Sequence, residues 1–378
     1  MIPYSRQSVD KQDAVAVQKV LRSDWLTQGP VVKKFEEALV AQTGARFVVA
    51  FSSGTAALEA AYFAAGIKKG DEVIMSPLTF AATANAALWA GAKVVFADIE
   101  SETGNLDPDE VIRKITTRTK AIVPVDYAGL PARLRELKTI AKNHGAILIE
   151  DAAHSLGASY SGKSIGSLAD MTTFSFHPVK SITTGEGGAV STNNKAFFER
   201  LVLFREHGIT KHSENFVLKN QGDWYHEMQE LGHNYRLTDI QAALGLSQLK
   251  KLSAFISRRR ELAARYQKAF AGNTSVIVPL EYSGALSSWH LYPLRLTRDR
   301  KEQKTTLFKK LRSLGIGVQV HYIPVYLHPY YQKIGYKKGL CPNAEAFYEA
   351  ELSIPLYPDL SRKDQDFVIK TINELTGL

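Results

Sequence analysis

The feature that most constrains this chain is an alternation, from about residue 10 to 250, of short unbroken apolar runs with helical stretches. Phe47-Val48-Val49-Ala50-Phe51 is the clearest run, and similar ones fall at 73–75, 94–97, 121–125 and 146–149. A strand that is apolar at every position suits burial on both faces, whereas a strand with one wet face alternates. Helical patterns lie between the runs, as at 79–90 and 131–143. Parallel neighbours need long crossovers, so strands separated by helices predict a mostly parallel, doubly wound α/β sheet.

Local signals sharpen this. Asp10 is placed to cap a helix over 14–21, with Asp13 completing a capping box. A second helix over 31–42 should stop near Gly44. Past residue 250 the texture changes: long helical segments at 246–268 and 300–314 flank strands at 291–296 and 318–321. The chain thus reads as a large domain over 1–250, led by an N-terminal arm at 1–10, and a smaller C-terminal α/β domain over 251–378.

Composition narrows the function classes. No run of about 18 apolar residues exists, so no membrane span is expected. Cys341 is the only cysteine, which excludes an intrachain disulfide and, with no signal core at the N-terminus, points to the cytoplasm. The formal net charge is +9, but the Lys and Arg residues are scattered; Arg258-Arg259-Arg260 is the densest cluster. A solvated basic surface explains this, as does attraction of a di-anionic nucleotide. No zinc-finger spacing or RNA-recognition signature supports nucleic-acid binding or a metal site.

Three segments carry chemistry. In Phe51-Ser52-Ser53-Gly54-Thr55-Ala56-Ala57-Leu58 a buried strand turns into an Ala-rich helix, whose N-terminus can hold an anion. A tight turn with a helix cap is the plainer reading. In Ile147-Leu148-Ile149-Glu150-Asp151-Ala152-Ala153-His154 two acids close a strand, at the end where α/β sheets place ligands. Such an acid can bind metal, orient a histidine, pair with a cationic heterocycle, or simply cap a helix. In Phe174-Ser175-Phe176-His177-Pro178-Val179-Lys180-Ser181, followed by Gly185-Glu186-Gly187-Gly188, a lone lysine sits in a compact loop. It is either a solvated charge or, beside a cofactor, an amine of lowered pKa. Anion cradle, acid and lysine, in that order, are what pyridoxal phosphate requires.

These segments, with Pro77-Leu78-Thr79-Phe80-Ala81-Ala82-Thr83-Ala84-Asn85-Ala86, resemble the DegT family of sugar aminotransferases over essentially the whole chain. The resemblance implies an aspartate-aminotransferase-like (type I) fold and a homodimer. Ile2-Pro3-Tyr4, Ser23-Asp24-Trp25-Leu26-Thr27, the Lys180 loop and His321-Tyr322-Ile323-Pro324 are similar to family members of pseudaminic acid biosynthesis. Those act on a UDP-linked 4-keto-6-deoxy-N-acetylhexosamine of L-altro type, with L-glutamate as the expected amino donor. Other nucleotide keto sugars (GDP-perosamine, UDP-bacillosamine and UDP-4-amino-arabinose types) and a non-catalytic cofactor-binding regulator are the alternatives.

By this resemblance Lys180 forms the Schiff base and then moves the proton, and Asp151 pairs with the pyridinium nitrogen. Gly54, Thr55 and Ser175 hold the phosphate, Phe80 stacks on the ring, and His154 contacts the ring or orients Asp151. Asn234 reaches the phosphate of a neighbouring subunit. Tyr4, Asp24, Trp25, Leu26, Thr27, His321 and Tyr322 match positions that touch the nucleotide sugar. Family members that replace the lysine with histidine act as dehydratases; this chain keeps Lys180. The dense tyrosines at 322, 326, 330 and 331 suit either substrate contact or domain packing.

Overall fold

A computed structural model describes residues 1–377. Its centre is a seven-stranded sheet: β1 Phe47–Phe51, β2 Glu72–Met75, β3 Lys93–Phe96, β4 Thr119–Val123, β5 Ile147–Asp151, β6 Met171–Ser175 and β7 Gly188–Thr192. The spatial order is β1-β7-β6-β5-β4-β2-β3. All neighbours from β6 to β3 run parallel, while β7 is antiparallel to both β6 and β1. The apolar runs form these strands because helices cover both faces of the sheet, leaving Val49, Phe51, Ile74 and Ile122 at 1% exposure or less. Burial of a ring such as Phe51 contributes about 2 kcal/mol.

The topology brings several chain ends to one place. β5 ends on Asp151 and β6 on Ser175, which pairs with Gly188 at the start of β7; Gly188 also pairs with Phe51 at the end of β1. Immediately after β1 comes the Ala-rich helix α3, Gly54–Ala64. It follows α1, Lys11–Leu21, which carries the expected Asp10/Asp13 capping box, and α2, Pro30–Thr43, which stops at Gly44 with φ +69°. Helix α4, Ala81–Trp89, follows β2.

A smaller antiparallel sheet is built from β8 Val276–Ile277, β9 Tyr292–Leu296 and β10 Glu351–Ile354. It has its own core, with Leu262, Tyr266, Tyr292, Leu352, Val368 and Ile372 buried together. The N-terminal arm ties it to the larger sheet. Ile2 N–H donates to Gly315 O (2.8 Å), Leu356 N–H donates to Tyr4 O (3.0 Å), and Gln248 Nε2 donates to Ser8 O (2.8 Å).

Some expected boundaries are corrected. The helix expected over 246–268 is two helices, Asp239–Leu249 and Leu252–Phe270, broken at Lys250 and Lys251. Residues 318–321 form no named strand; one bridge, Gln319 to Ser353, holds them beside β10. Pro131 lies outside its helix, which starts at Leu134. Of the four tyrosines, Tyr326 and Tyr331 resolve toward packing, buried with their rings against Phe96, while Tyr330 is exposed and Tyr322 bonds to His154.

Candidate active site

The cradle comes from the β1–α3 turn. Ser53 is the N-cap of α3: its hydroxyl accepts from Ala56 N–H (3.1 Å) and its carbonyl from Ala57 N–H (3.1 Å). That leaves the N–H groups of Gly54 and Thr55, at the positive end of the helix, without acceptors among the described residues. Ser175 closes the other side. A Cβ on Gly54 would stand 3.0 Å from Ser175 Cβ, and one on Gly188 would stand 2.4 Å from Ser53 O. Only glycine lets these two chain segments meet around the space.

Beside it lies Asp151, 4% exposed at the end of β5. Thr83 Oγ1, on α4, donates to Asp151 Oδ2 (2.7 Å) and Ala153 N–H donates to Oδ1 (3.1 Å). Since Thr83 spends its one proton on the carboxylate, its 2.7 Å contact with Thr79 Oγ1 must be donated by Thr79. The chain Thr79→Thr83→Asp151 therefore has a fixed direction. Burial pushes the Asp151 carboxyl up, and the bonds from Thr83 and Ala153 with the nearby Lys180 charge oppose it. Thr79 and Thr83 were not singled out from sequence; their spacing by one helical turn after β2 is the signal that could have found them.

Glu150 does not join the site. Adjacent strand residues face opposite ways, so Glu150 lies on the other face of β5, fully buried, accepting from Thr172 Oγ1 (2.7 Å) and meeting Asp126. Burial and that neighbour push its carboxyl well up, and burial pushes Asp126 up to about 6. The two acids that look equivalent in sequence are thus unlike: Asp151 is held by Thr83 and lies near Lys180, while Glu150 is buried behind it beside Asp126.

Lys180 follows β6 in a loop held by its own N–H donating to His177 O (2.9 Å). Its Nζ makes no ion pair or hydrogen bond among the described residues. Burial pushes the ammonium down to about 8, and Asp151 pulls it back up. Near neutrality the group therefore holds a far larger share of free amine than an ordinary lysine.

The rim opposite is aromatic. His154 Nε2 bonds to Tyr322 Oη (3.0 Å), while His154 Nδ1 is buried without a partner. Burial, with the Lys180 charge second, drives the His154 ring well below its usual pKa, so it is neutral. The Tyr4 and His321 rings sit 5.4 Å apart and those of Phe80 and Tyr322 6.4 Å apart. Phe80, 65% exposed, stands at the N-cap of α4.

Two predicted groups lie apart. Asp24, Trp25, Leu26 and Thr27 are all exposed, on a turn anchored by a Thr27–Thr238 bridge and by Asp239 N–H donating to Leu26 O (3.0 Å). Asn234 is also exposed, bridged through its backbone to Glu206. Among the described residues, no hydrogen bond or ion pair links either group to Lys180.

The donors fit pyridoxal phosphate. Free N–H groups and hydroxyls suit a phosphate dianion, a buried carboxylate suits a ring nitrogen, and an uncommitted amine suits an aldehyde. Sheet and cleft together define the class, a pyridoxal-phosphate-dependent aminotransferase of the type I fold. The chain belongs to the DegT/DnrJ/EryC1/StrS aminotransferase family, whose profile matches residues 7–373. It is 45% identical over 377 residues to the UDP-4-amino-4,6-dideoxy-N-acetyl-beta-L-altrosamine transaminase of Campylobacter jejuni, covering 98% of this chain and 96% of that one. Helicobacter pylori PseC, an aminotransferase involved in the biosynthesis of pseudoaminic acid, superimposes with a TM-score of 0.92 at 36% identity, covering 99% and 98% of the two chains. The PLP form of the sugar aminotransferase Spr1654 from Streptococcus pneumoniae does so with a TM-score of 0.92 at 31% identity, over 99% and 98%.

Proposed function

We propose that this enzyme moves an amino group from L-glutamate to carbon 4 of a UDP-linked 4-keto-6-deoxy-N-acetylhexosamine of L-altro type, the step used in pseudaminic acid biosynthesis. The observation that carries the reading is the uncommitted Lys180 amine, facing the aromatic rim of Tyr4, His321 and Tyr322, in a chain of full-length similarity to such a transaminase. When bound, pyridoxal phosphate supplies an electron sink for the substrate carbon.

Lys180 would carry the cofactor, and its Nζ would act as the base and acid that moves a proton between the substrate carbon and the bound cofactor. Asp151, held by Thr83, keeps a proton on the ring nitrogen. Gly54, Thr55 and Ser175 hold the phosphate, and Phe80 covers the ring. His154, neutral and bonded to Tyr322, borders the cleft without adding charge. Tyr4, His321 and Tyr322 receive the sugar; Asp24, Trp25, Leu26 and Thr27 reach its nucleotide.

The enzyme works in the cytoplasm as a homodimer. Exposed Asn234 reaches the phosphate site of the second subunit, and the apolar side chains near it in sequence, Val217, Trp224 and Leu231, at 77%, 85% and 76% exposure, are what that subunit covers. The division into a cofactor domain over 1–250 and a smaller domain over 251–378 belongs to the same reading.

A half-reaction tests the substrate. The enzyme is first converted with glutamate to the pyridoxamine form, then mixed separately with the L-altro 4-keto sugar and its D-xylo epimer. Return of the cofactor's visible band with the L-altro sugar alone is expected. Return with only the epimer overturns the substrate while leaving the chemistry intact.

A further inference from the structure

His321 is more elaborately held than a rim residue needs to be. Glu351 and Ser353 are alternate residues of β10, so their side chains share one face of the small sheet. The Gln319–Ser353 bridge is antiparallel, and it sets His321 opposite Glu351. Three bonds follow from that register. Glu351 Oε2 accepts from His321 N–H (2.9 Å), Glu351 Oε1 meets Ser353 Oγ (2.5 Å), and Ser353 Oγ meets His321 Nδ1 (2.8 Å). Glu351 and Ser353 are fully buried. His321 Nε2 has no hydrogen-bond partner among the described residues and, unlike Nδ1 of His154 and His290, is not sealed from solvent.

A hydroxyl has one proton, so this row allows two arrangements. With Glu351 as carboxylate, Ser353 donates to it, His321 Nδ1–H donates to Ser353, and Nε2 is a bare acceptor. With Glu351 as carboxylic acid, every proton turns round: Glu351 donates to Ser353, Ser353 donates to Nδ1, and Nε2 carries hydrogen. We propose that Glu351, acting through Ser353, sets the tautomer of His321 and so decides whether this wall offers an acceptor or a donor. Its role as a positioning pair for the sugar rests on the reading above that His321 touches substrate.

The surroundings let the carboxyl, and not the ring, be the group that titrates. Burial pushes Glu351 up to about 8, with Lys304 and the two accepted bonds opposing. Tyr127 faces it, donating to His321 O, while Arg295 on the paired strand β9 gives its guanidinium to the carbonyls of Ser101 and Glu102. His321 faces Tyr4, Tyr322, His154 and Lys180, and burial with the Lys180 charge pushes its ring down to about 3. The ring therefore stays neutral while its proton changes place.

The test is the imidazole nitrogen spectrum of ¹⁵N-histidine-labelled, cofactor-loaded enzyme without sugar, the His321 signals being those missing from His321→Asn. Across a titration centred near about 8 the wild-type ring is expected to pass from Nε2–H below to Nδ1–H above. Glu351→Gln must keep its carbonyl on His321 N–H, which turns its NH₂ to Ser353 and fixes Nε2–H at every pH. Ser353→Ala abolishes the inversion. A ring whose tautomer ignores pH in the wild type overturns the proposal, and this arm needs no variant to fold. With the keto sugar, KM should change roughly fivefold across the same range in wild type and stay flat in Glu351→Gln. Tautomer inversion with an invariant KM would keep the relay and reject sugar contact by His321.

Discussion

The two walls of the cleft are made differently. The proposed cofactor wall comes from strand ends and one helix start of the large sheet: Gly54 after β1, Asp151 closing β5, Ser175 closing β6 and Lys180 just beyond. Its carboxylate is tied to α4, Thr83 donating to Asp151 at 2.7 Å, while Lys180 Nζ is left uncommitted among the described residues. The proposed substrate wall would be gathered from the N-terminal arm, the segment beside β10 and, farther out, the exposed turn at 24–27. One wall is fixed by a seven-stranded sheet, the other by single bridges and side-chain rows. Changes on the first should strike the chemical step, and changes on the second should strike affinity.

Lys180→Ala gives the largest expected effect, a loss of turnover of roughly 10,000-fold or more, since on the proposed roles it removes both the cofactor attachment and the proton carrier. Steady-state transamination measures it, and residual turnover near wild type would erase the contrast between the walls. Asp151→Asn should lower kcat roughly 100- to 1,000-fold. It should also act on Lys180. Asp151 holds that ammonium up, so its loss lowers the midpoint, about 8 in the wild type, above which apoenzyme captures added cofactor. A midpoint that rises or stays put would contradict this.

Thr83→Val keeps the shape of α4 but removes a donor from a buried carboxylate, a cost of about 1.5–3 kcal/mol. The Asp151 pKa is held down by that bond, so it should rise, and the acid limb of the kcat–pH profile should move to higher pH. The smallest effect is expected on the substrate wall. Trp25→Ala should raise KM for the nucleotide sugar severalfold, by about 1 kcal/mol, with kcat unchanged. A kcat defect there would show the walls to be coupled.

Legibility in the sequence divides along the same line. β1 through β5 were readable because each is a local apolar run, and the caps of α1 and α2 because capping is local chemistry. Lys180, Asp151, Ser175 and Gly54 could be gathered because strand ends on one edge of a parallel sheet meet in space. What the sequence did not show depends on long-range register or on facing. That Glu150 turns away from its neighbour follows from strand alternation, but which acid faces the cleft is set by the elements on each side. The Glu351–Ser353–His321 row exists only because one bridge aligns segments more than thirty residues apart. Residues 318–321 looked like a strand because they are apolar and β-branched at alternate places, yet only one bridge forms.

The central claim is that Lys180 carries the cofactor. Borohydride reduction of the loaded enzyme, followed by digestion and peptide mass spectrometry, tests it without any assumption about the sugar. The account predicts a phosphopyridoxyl group on the peptide containing Lys180 and on no other lysine. Its attachment elsewhere, or no attachment in an enzyme that still transaminates, would contradict the account.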